Sequence, residues 1–201
     1  MARICIWGDS ITIGFSDYEK QGWVNRLRYY LNKEDFSVYN LGISDDTSEE
    51  LTNRFEVECK ARNPDVILFA IGTNDTQQIN NNPRVSLERF EKNLNFLINS
   101  AKKYTNKIGF IGLTKVTEEK TMPIPWNTKI YYDNKNLKIY DNKLKQTAEN
   151  SNLPYLYMFD LVEDDELEDG LHPNSKGHEK MFKKVKGFLI EKNMITLNIP
   201  E

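Results

Sequence analysis

The sequence predicts an α/β protein with a five-stranded parallel sheet and helices packed on both of its faces. Short apolar runs alternate along the chain with longer stretches whose apolar residues recur at helical spacing, and this alternation is typical of parallel sheets with crossover helices. The chain has 201 residues, of which 39% are hydrophobic, enough to bury one substantial core. We therefore expect residues 1–201 to form a single domain.

Five apolar runs are the predicted strands of this sheet. In chain order they read RICIW, FSVYNLG, DVILFAIG, KIGFIGL and LPYLYMFDL. Each run is followed by a segment with helical spacing, so the chain repeats a strand and a helix five times.

Five segments have apolar residues at the spacing of one helix face. In chain order these residues are Val24, Leu27 and Leu31; Leu51, Phe55 and Cys59; Leu87, Phe90, Leu94, Leu97, Ile98 and Ala101; Leu137, Tyr140, Leu144 and Ala148; and Met181, Val185, Phe188 and Leu189. The second segment begins with Thr47 and Glu50, whose spacing is that of a capping box. We expect a helix over each segment.

Two segments do not fit the alternation of strands and helices. The stretch TKVTEEKTMPIPWNTKIYY, from Thr114 to Tyr132, has two prolines and no settled period, which predicts a long loop. Loops of this length in a compact domain are usually functional or mobile. The tail MITLNIP alternates Ile195, Leu197 and Ile199, which suits an edge strand or a contact with a second subunit in a homo-oligomer.

The charge and composition favour small-molecule partners. A net charge of -3 and a pI near 5.6 give no reason to expect binding to nucleic acid or to an anionic membrane surface. No apolar run reaches the roughly 18 residues of a membrane-spanning helix, so no membrane insertion is expected. The segment MARICIW leads directly into a turn and leaves no room for a signal peptide. With Cys5 and Cys59 expected to lie reduced in the core, these features favour a cytoplasmic location.

Polar motifs follow four of the five predicted strands. Ser10 follows the first strand, Gly42 ends the second, Asn74 lies in GTND after the third, and DGLHP after the fifth contains Asp169 and His172. Open parallel sheets bind ligands beyond the carboxyl ends of their strands. We therefore expect all four motifs to lie at one edge of the sheet.

Ser10, His172 and Asp169 have the residue types that nucleophilic catalysis needs. A serine hydroxyl becomes a strong nucleophile when a histidine takes its proton and a carboxylate orients that histidine. The chain has two histidines, and His178 lies inside the last predicted helix, where a structural role is expected. Asp169 lies three residues before His172 in the same predicted loop, and its spacing favours it over the other acidic residues nearby. Those competing residues are Asp164, Asp165 and Glu166.

An ester intermediate also carries a negative oxygen that needs prepared hydrogen-bond donors. The backbone N–H groups of Ser10 and Gly42 and the side-chain amide of Asn74 are the candidates. Each has a simpler interpretation as well. Gly42 could supply a turn with positive φ, Asn74 could bond its own loop, and DGLHP could be only a capped helix start. Asp9 is interpreted as a structural cap of the turn.

Taken together, these motifs resemble the SGNH hydrolases, also called GDSL-type esterases and lipases. GDSIT is similar to the first sequence block of that family, NLGIS to the second, GTND to the third and DGLHP to the last, in the same order over nearly the whole chain. The resemblance implies a flavodoxin-like three-layer α/β/α fold. It also implies Ser10 as nucleophile, His172 as base and Asp169 as its orienting carboxylate, with Ser10, Gly42 and Asn74 forming the oxyanion hole.

The resemblance implies hydrolysis without a metal or cofactor, and the sequence has no histidine or cysteine cluster spaced for zinc. The ordinary α/β-hydrolase elbow G-x-S-x-G is disfavoured because Thr12 stands where it needs glycine. The family includes acetylesterases that act on sugars, lysophospholipases, thioesterases, arylesterases and some acyltransferases. The mixed composition of residues 114–132 favours a short acyl group on a polar alcohol. Trp126 could stack on a sugar ring or pack its own loop.

Two further classes of function stay open at this point. A non-enzymatic flavodoxin-like binding module would need no triad, and no GK[ST] or G-x-G-x-x-G pattern supports nucleotide binding. A metal-dependent phosphoester hydrolase could use Asp9, Asp75 and Asp169.

Overall fold

The computed structural model of the protein describes residues 1–32 and 36–197. The strands in this part of the chain are β1 (Ala2–Gly8), β2 (Phe36–Gly42), β3 (Val66–Ala70), β4 (Gln78–Ile79), β5 (Asn82–Pro83), β6 (Ile108–Ile111), β7 (Ile130–Tyr131) and β8 (Tyr155–Leu156). The α-helices are α1 (Ser10–Ile13), α2 (Gly22–Leu31), α3 (Ser48–Arg62), α4 (Leu87–Ala101), α5 (Glu118–Thr121), α6 (Asn134–Asn150) and α7 (Ser175–Glu191).

The central sheet has the strand order β2-β1-β3-β6-β8, and all of its neighbouring strands are parallel. The predicted five-stranded parallel sheet is thereby confirmed. The fifth strand is much shorter than the run LPYLYMFDL, because only Tyr155 and Leu156 pair with β6. Met158 and Phe159, later in that run, are buried in the core without belonging to a strand. These two residues are apolar because the loop that follows β8, in which they lie, is buried at this point.

Helices cover both faces of the sheet, as the sequence predicts. On one face the core contains Phe55 of α3, Leu94 of α4 and Leu144 of α6. On the other face it contains Leu27 of α2 and Val185 of α7. The result is a three-layer α/β/α sandwich. The helix α3 begins with the predicted capping box of Thr47 and Glu50, and both cysteines are free and buried.

The register of the sheet places three strand ends at one edge. Gly8 at the end of β1 pairs with Gly42 of β2 and with Ala70 of β3. We call this edge, beyond the carboxyl ends of these strands, the rim. Helix α1 folds tightly over it: a Cβ added to Gly42 would lie 2.5 Å from the Ile13 nitrogen, and one added to Gly8 would lie 2.0 Å from the Thr12 hydroxyl. Glycine is therefore required at both positions for close packing.

Residues 114–132 are more ordered than the predicted long loop. They contain the short helix α5 and the strand β7, and β7 joins β4 and β5 in a small antiparallel sheet. Ile124 and Tyr132 in this segment are buried. The loop prediction is wrong for these elements because strands of two residues are too short to show a hydrophobic period.

The tail does not form the predicted edge strand within the described residues. Ile195 is buried and Leu197 packs partly buried against the core beside α2 and α7. Ile199 lies outside the described residues. Among the helices that the structure describes, none has both the length and the apolar character needed to cross a membrane.

Candidate active site

Ser10 is the first residue of α1 and lies two residues beyond β1. The side chain of Asp9 caps this short helix by accepting a hydrogen bond from the Ile11 N–H at 3.0 Å. This is the structural role that the sequence predicts for Asp9. Burial raises the pKa of Asp9 to about 6. The cap fixes the turn that presents the Ser10 hydroxyl at the rim.

Ser10, His172 and Asp169 are connected in series by hydrogen bonds. The Ser10 Oγ lies 2.9 Å from His172 Nε2, and His172 Nδ1 lies 2.7 Å from Asp169 Oδ2. The other carboxylate oxygen of Asp169 accepts the N–H groups of Leu171 at 3.0 Å and His172 at 2.8 Å. Burial alone would raise the pKa of Asp169, but these hydrogen bonds and the His172 charge outweigh it and lower the pKa to about 2. Asp169 is therefore ionised at neutral pH and holds His172 with Nδ1 as the donor.

The competing acidic residues face other partners. Asp164 forms an ion pair with Lys115 at 3.3 Å, and Glu166 pairs with Lys180 at 2.6 Å. The backbone carbonyl of Asp165 accepts a hydrogen bond from Asn174. Of the four acidic residues considered from the sequence, Asp169 is the one whose carboxylate bonds the His172 ring.

His178 is sealed inside the protein, where its side chain has no solvent exposure. Its Nδ1 accepts the Trp23 N–H at 3.3 Å, and its Nε2 donates to the Phe15 carbonyl at 3.2 Å. Burial lowers the pKa of His178 to about 4. These contacts agree with the structural role predicted for it.

Asn74 begins a short 3₁₀ turn after β3 and lines the same pocket as Ser10. Its Nδ2 donates to the Asp46 carbonyl at 2.9 Å, and its Oδ1 accepts the Tyr132 hydroxyl at 2.9 Å. The side chain is thus held from two directions by other segments of the chain, and does more than bond its own loop.

The structure does not bring the Gly42 N–H to the pocket. That N–H donates to the Asn40 side-chain oxygen at 3.1 Å, and Gly42 does not line the pocket that contains Ser10. The turn after β2 contributes Ser44 and Asp45 instead. Asp45 has a left-handed backbone with φ of 70°, at the corner of a turn closed by the Asp46 N–H and the Ile43 carbonyl at 3.2 Å. The sequence signal for this turn is the pair of aspartates in ISDD, since aspartate tolerates that conformation better than most residues.

A pocket of about 390 Å³ opens over Ser10 and His172. Residues 114–132 form one side of it through Ile124, Trp126 and Tyr132. The pocket is lined by Ser10, Phe15, Ser44, Asp45, Asn74, Gln77, Ile124, Trp126, Tyr132, Asp169, Leu171 and His172. Apolar rings and polar side chains therefore share its surface.

A larger surface cavity, of about 640 Å³, lies between α2 and α7. Its lining includes Tyr29, Tyr30 and Phe182 but none of the predicted site residues. Because the nucleophile and base candidates line the smaller pocket, we assign the active site there.

The three carboxylates considered as metal ligands have separate partners. Asp9 caps α1, Asp169 bonds His172, and Asp75 accepts the Ser48 N–H at 2.9 Å. Burial raises the pKa of Asp75 to about 7. Within residues 1–32 and 36–197, no three His, Cys, Asp or Glu side chains are grouped so that they could hold a metal ion.

Solved structures of acylhydrolases share this fold. A lipase/acylhydrolase from Enterococcus faecalis is 20% identical, with a TM-score of 0.77 over 96% of this chain and 97% of that chain. Axe2, an acetylxylan esterase from Geobacillus stearothermophilus, is 21% identical, with a TM-score of 0.72 over 94% of this chain and 93% of that chain. At these identities the likeness establishes the fold.

A curated relative is the uncharacterized lipoprotein YqeF of Bacillus subtilis. It is 33% identical over 107 residues, which are 50% of this chain and 44% of that protein. The chain therefore matches less than half the length of this relative.

The sequence profile of the GDSL-like Lipase/Acylhydrolase family matches residues 6–180, a range that contains Ser10, Asn74, Asp169 and His172. This match confirms the resemblance to the SGNH hydrolases. The chain belongs to the GDSL-like lipase/acylhydrolase family.

Proposed function

We propose that this protein is a serine esterase that removes a short acyl group, such as acetyl, from a polar or carbohydrate alcohol. The observation that carries this proposal is the series of hydrogen bonds from Ser10 Oγ to His172 Nε2 and from His172 Nδ1 to Asp169, at 2.9 and 2.7 Å. Nucleophile, base and orienting carboxylate in contact are the arrangement that activates a serine hydroxyl.

The geometry supports acyl transfer in two steps, the acylation of Ser10 and the hydrolysis of the acyl-serine. His172 Nε2 takes the Ser10 proton as Oγ attacks the ester carbon, and Asp169 stabilises the resulting imidazolium. The Ser10 N–H and the Asn74 side chain donate to the negative oxygen of the tetrahedral intermediate. His172 then gives its proton to the departing alcohol. Water activated by the same histidine attacks the acyl-serine, releases the acid and restores Ser10.

The Gly42 N–H has no part in this proposal, because it is already bonded to Asn40. The turn that contains Ser44 and Asp45 takes its place at the pocket wall. The donors we assign to the oxyanion are therefore the Ser10 backbone and the Asn74 amide.

The pocket wall favours a short acyl group and a polar alcohol. Trp126 lies at the pocket with 62% of its surface exposed, so much of its ring is available to a ligand. The wall of this pocket of about 390 Å³ also combines polar residues such as Asp45 and Gln77 with apolar ones, which suits a short acyl group better than a long hydrocarbon chain. Stacking of an aromatic ring on a sugar would use the exposed face of Trp126. The acetylxylan esterase named above shares the fold, which agrees with this choice of substrate.

A fluorophosphonate probe tests the chemistry directly. We expect it to label Ser10, as located by mass spectrometry of the digested protein, and to leave Ser10→Ala unlabelled although that variant folds normally. Labelling of another residue, or equal p-nitrophenyl acetate hydrolysis by Ser10→Ala, would remove the mechanism. Loss of that hydrolysis on adding EDTA would instead favour the metal-dependent alternative.

A series of p-nitrophenyl esters from acetate to palmitate tests the pocket. We expect kcat/KM to be highest for the shortest acyl groups. A preference for palmitate would indicate the lysophospholipase alternative, and a preference for an acetyl thioester over an acetyl ester would indicate a thioesterase. A protein that binds ligands at the rim but hydrolyses none of these compounds would be a binding module.

We also propose a cytoplasmic location, supported by the two buried free thiols, Cys5 and Cys59. The relative from Bacillus subtilis is named a lipoprotein, so the proposal needs a direct test. Recovery of the protein with the membrane fraction of fractionated cells would overturn it.

A further inference from the structure

We propose that Tyr132 is a positioning residue that locks the Asn74 side-chain amide in the orientation needed to donate to the oxyanion. This inference rests on the proposed esterase function. It gives residues 114–132, which the sequence predicts to be a loop of unassigned role, a part in catalysis.

Three buried polar side chains form a line that ends at Asn74. Gln77 Nε2 donates to the Tyr132 hydroxyl at 2.6 Å, and that hydroxyl donates to Asn74 Oδ1 at 2.9 Å. Asn74 Nδ2 in turn donates to the Asp46 carbonyl at 2.9 Å. Gln77, Tyr132 and Asn74 are each at least nine-tenths buried, so solvent is a poor substitute partner for any of them.

The direction of every bond in this line is fixed. A backbone carbonyl only accepts, so the amide nitrogen of Asn74 must face Asp46 and its oxygen must face Tyr132. Because Gln77 supplies a donor to the phenol oxygen, the hydroxyl hydrogen of Tyr132 is directed to Asn74. Burial raises the pKa of the Tyr132 phenol, which keeps this donor protonated at neutral pH. A phenylalanine at this position could not hold the amide.

The second hydrogen on Asn74 Nδ2 is the one we assign to the oxyanion. Asn74 and Ser10 line the same pocket, and the first hydrogen of the Asn74 amide is used by Asp46. Asp46 is itself fixed, because its carboxylate accepts the Arg54 Nε at 2.7 Å. Tyr132 thus completes a two-sided clamp, and an amide held from both sides needs no reorganisation when negative charge develops.

The fold brings Tyr132 to Asn74 through the small antiparallel sheet. Strand β7 pairs antiparallel with β4, and Tyr131 lies opposite Gln78. Tyr132, which follows β7, and Gln77, which precedes β4, are therefore within reach of each other. The Tyr132 N–H donates to the Thr121 carbonyl at 3.0 Å, and the Thr121 hydroxyl donates back to the Tyr132 carbonyl at 2.9 Å. The backbone of Tyr132 is therefore anchored independently of its hydroxyl.

The test removes the hydroxyl alone, in Tyr132→Phe. With p-nitrophenyl acetate we expect kcat to fall about 10-fold and KM to stay within about twofold, because the Asn74 amide that Tyr132 positions donates mainly in the transition state. In an Asn74→Ala background the same substitution should change kcat by less than about twofold, since there is no amide left to position. Tyr131→Phe is the matched control: its hydroxyl donates to Asn81 at the surface, and kcat should not change.

An unchanged kcat in Tyr132→Phe, or an equal loss with and without Asn74, would overturn the inference. A second measurement uses the wild-type protein and needs no catalysis. The Tyr132 hydroxyl proton should exchange slowly and give NMR cross-peaks to the side-chain amides of Gln77 and Asn74. Absence of these peaks would also overturn the inference, whereas their presence in a protein whose Ser10 resists the fluorophosphonate probe would show that the proposed function alone has failed.

Discussion

The two histidines of the chain lie six positions apart and have opposite surroundings. His172 bonds two side chains, Ser10 and Asp169, and lines an open pocket. His178 bonds two backbone groups and is fully buried. A buried histidine whose two ring nitrogens both bond backbone groups has no nitrogen left for catalysis and serves a structural role. Reactivity requires that one nitrogen face a side chain that can react.

Phe15 connects these two environments. Its carbonyl accepts from His178 at 3.2 Å, and its ring lies 4.6 Å from the His172 ring, measured between centroids. His178 therefore holds the backbone of a residue that packs against the proposed base. His178 thereby supports the position of the proposed base His172 through Phe15.

His172→Ala tests the proposed base, and we expect it to reduce activity more than any other substitution considered below. We expect kcat/KM for p-nitrophenyl acetate to fall by about 10⁴ or more, because Ser10 loses its base. His172 is buried and bonded to Asp169, so the melting temperature is measured in parallel to show that the variant is folded. His178→Gln is the matched control: its amide can still accept from Trp23 and donate to Phe15, so most of the activity should remain. A His172→Ala variant that keeps a tenth of the wild-type rate would contradict the assignment.

Asn74→Ala tests the rim, where the proposed mechanism places the negative charge of the tetrahedral intermediate. We expect kcat to fall by about 10²–10³ with little change in KM, as for other oxyanion donors. Steady-state kinetics with p-nitrophenyl acetate measures both constants. A rise in KM with unchanged kcat would mean that Asn74 only binds the substrate.

The parts of the site that the sequence predicts well depend on topology alone. Parallel strands end at one edge, so the positions of Ser10, Asn74 and His172 after their strands were enough to bring them together. The spacing of Asp169 and His172 also follows from the short loop that contains both residues.

The parts that the sequence misses depend on local backbone geometry. Whether Gly42 or Asp45 faces the pocket is decided by a turn with φ of 70° at Asp45 and by the side chain of Asn40, which occupies the Gly42 N–H. Tyr132 reaches Asn74 only because residues 114–132 fold against β4 through a strand of two residues. Neither feature leaves a hydrophobic period in the sequence.

The pH dependence of stability tests the scaffold side of the comparison. Burial lowers the pKa of His178 from 6.5 to about 4, so between these values the unfolded chain binds more protons than the folded one. The contribution of the neutral imidazole to the free energy of unfolding is complete above pH 6.5. As pH falls to 4, roughly 3 kcal/mol of it should be lost.

Two buried carboxyl groups change the free energy of unfolding in the opposite direction over this pH range. Their contribution must be separated from that of His178. Burial raises the pKa of Asp9 to about 6 and of Asp75 to about 7, so the folded state binds more protons there and is destabilised as pH rises toward 7. Urea unfolding of wild type and His178→Gln at a series of pH values isolates His178, because both proteins keep both carboxyls. The wild type should lose more stability than the variant between pH 6.5 and 4. Parallel curves would mean that His178 is not held neutral by burial, and the contrast with His172 would then rest on their hydrogen-bond partners and exposure.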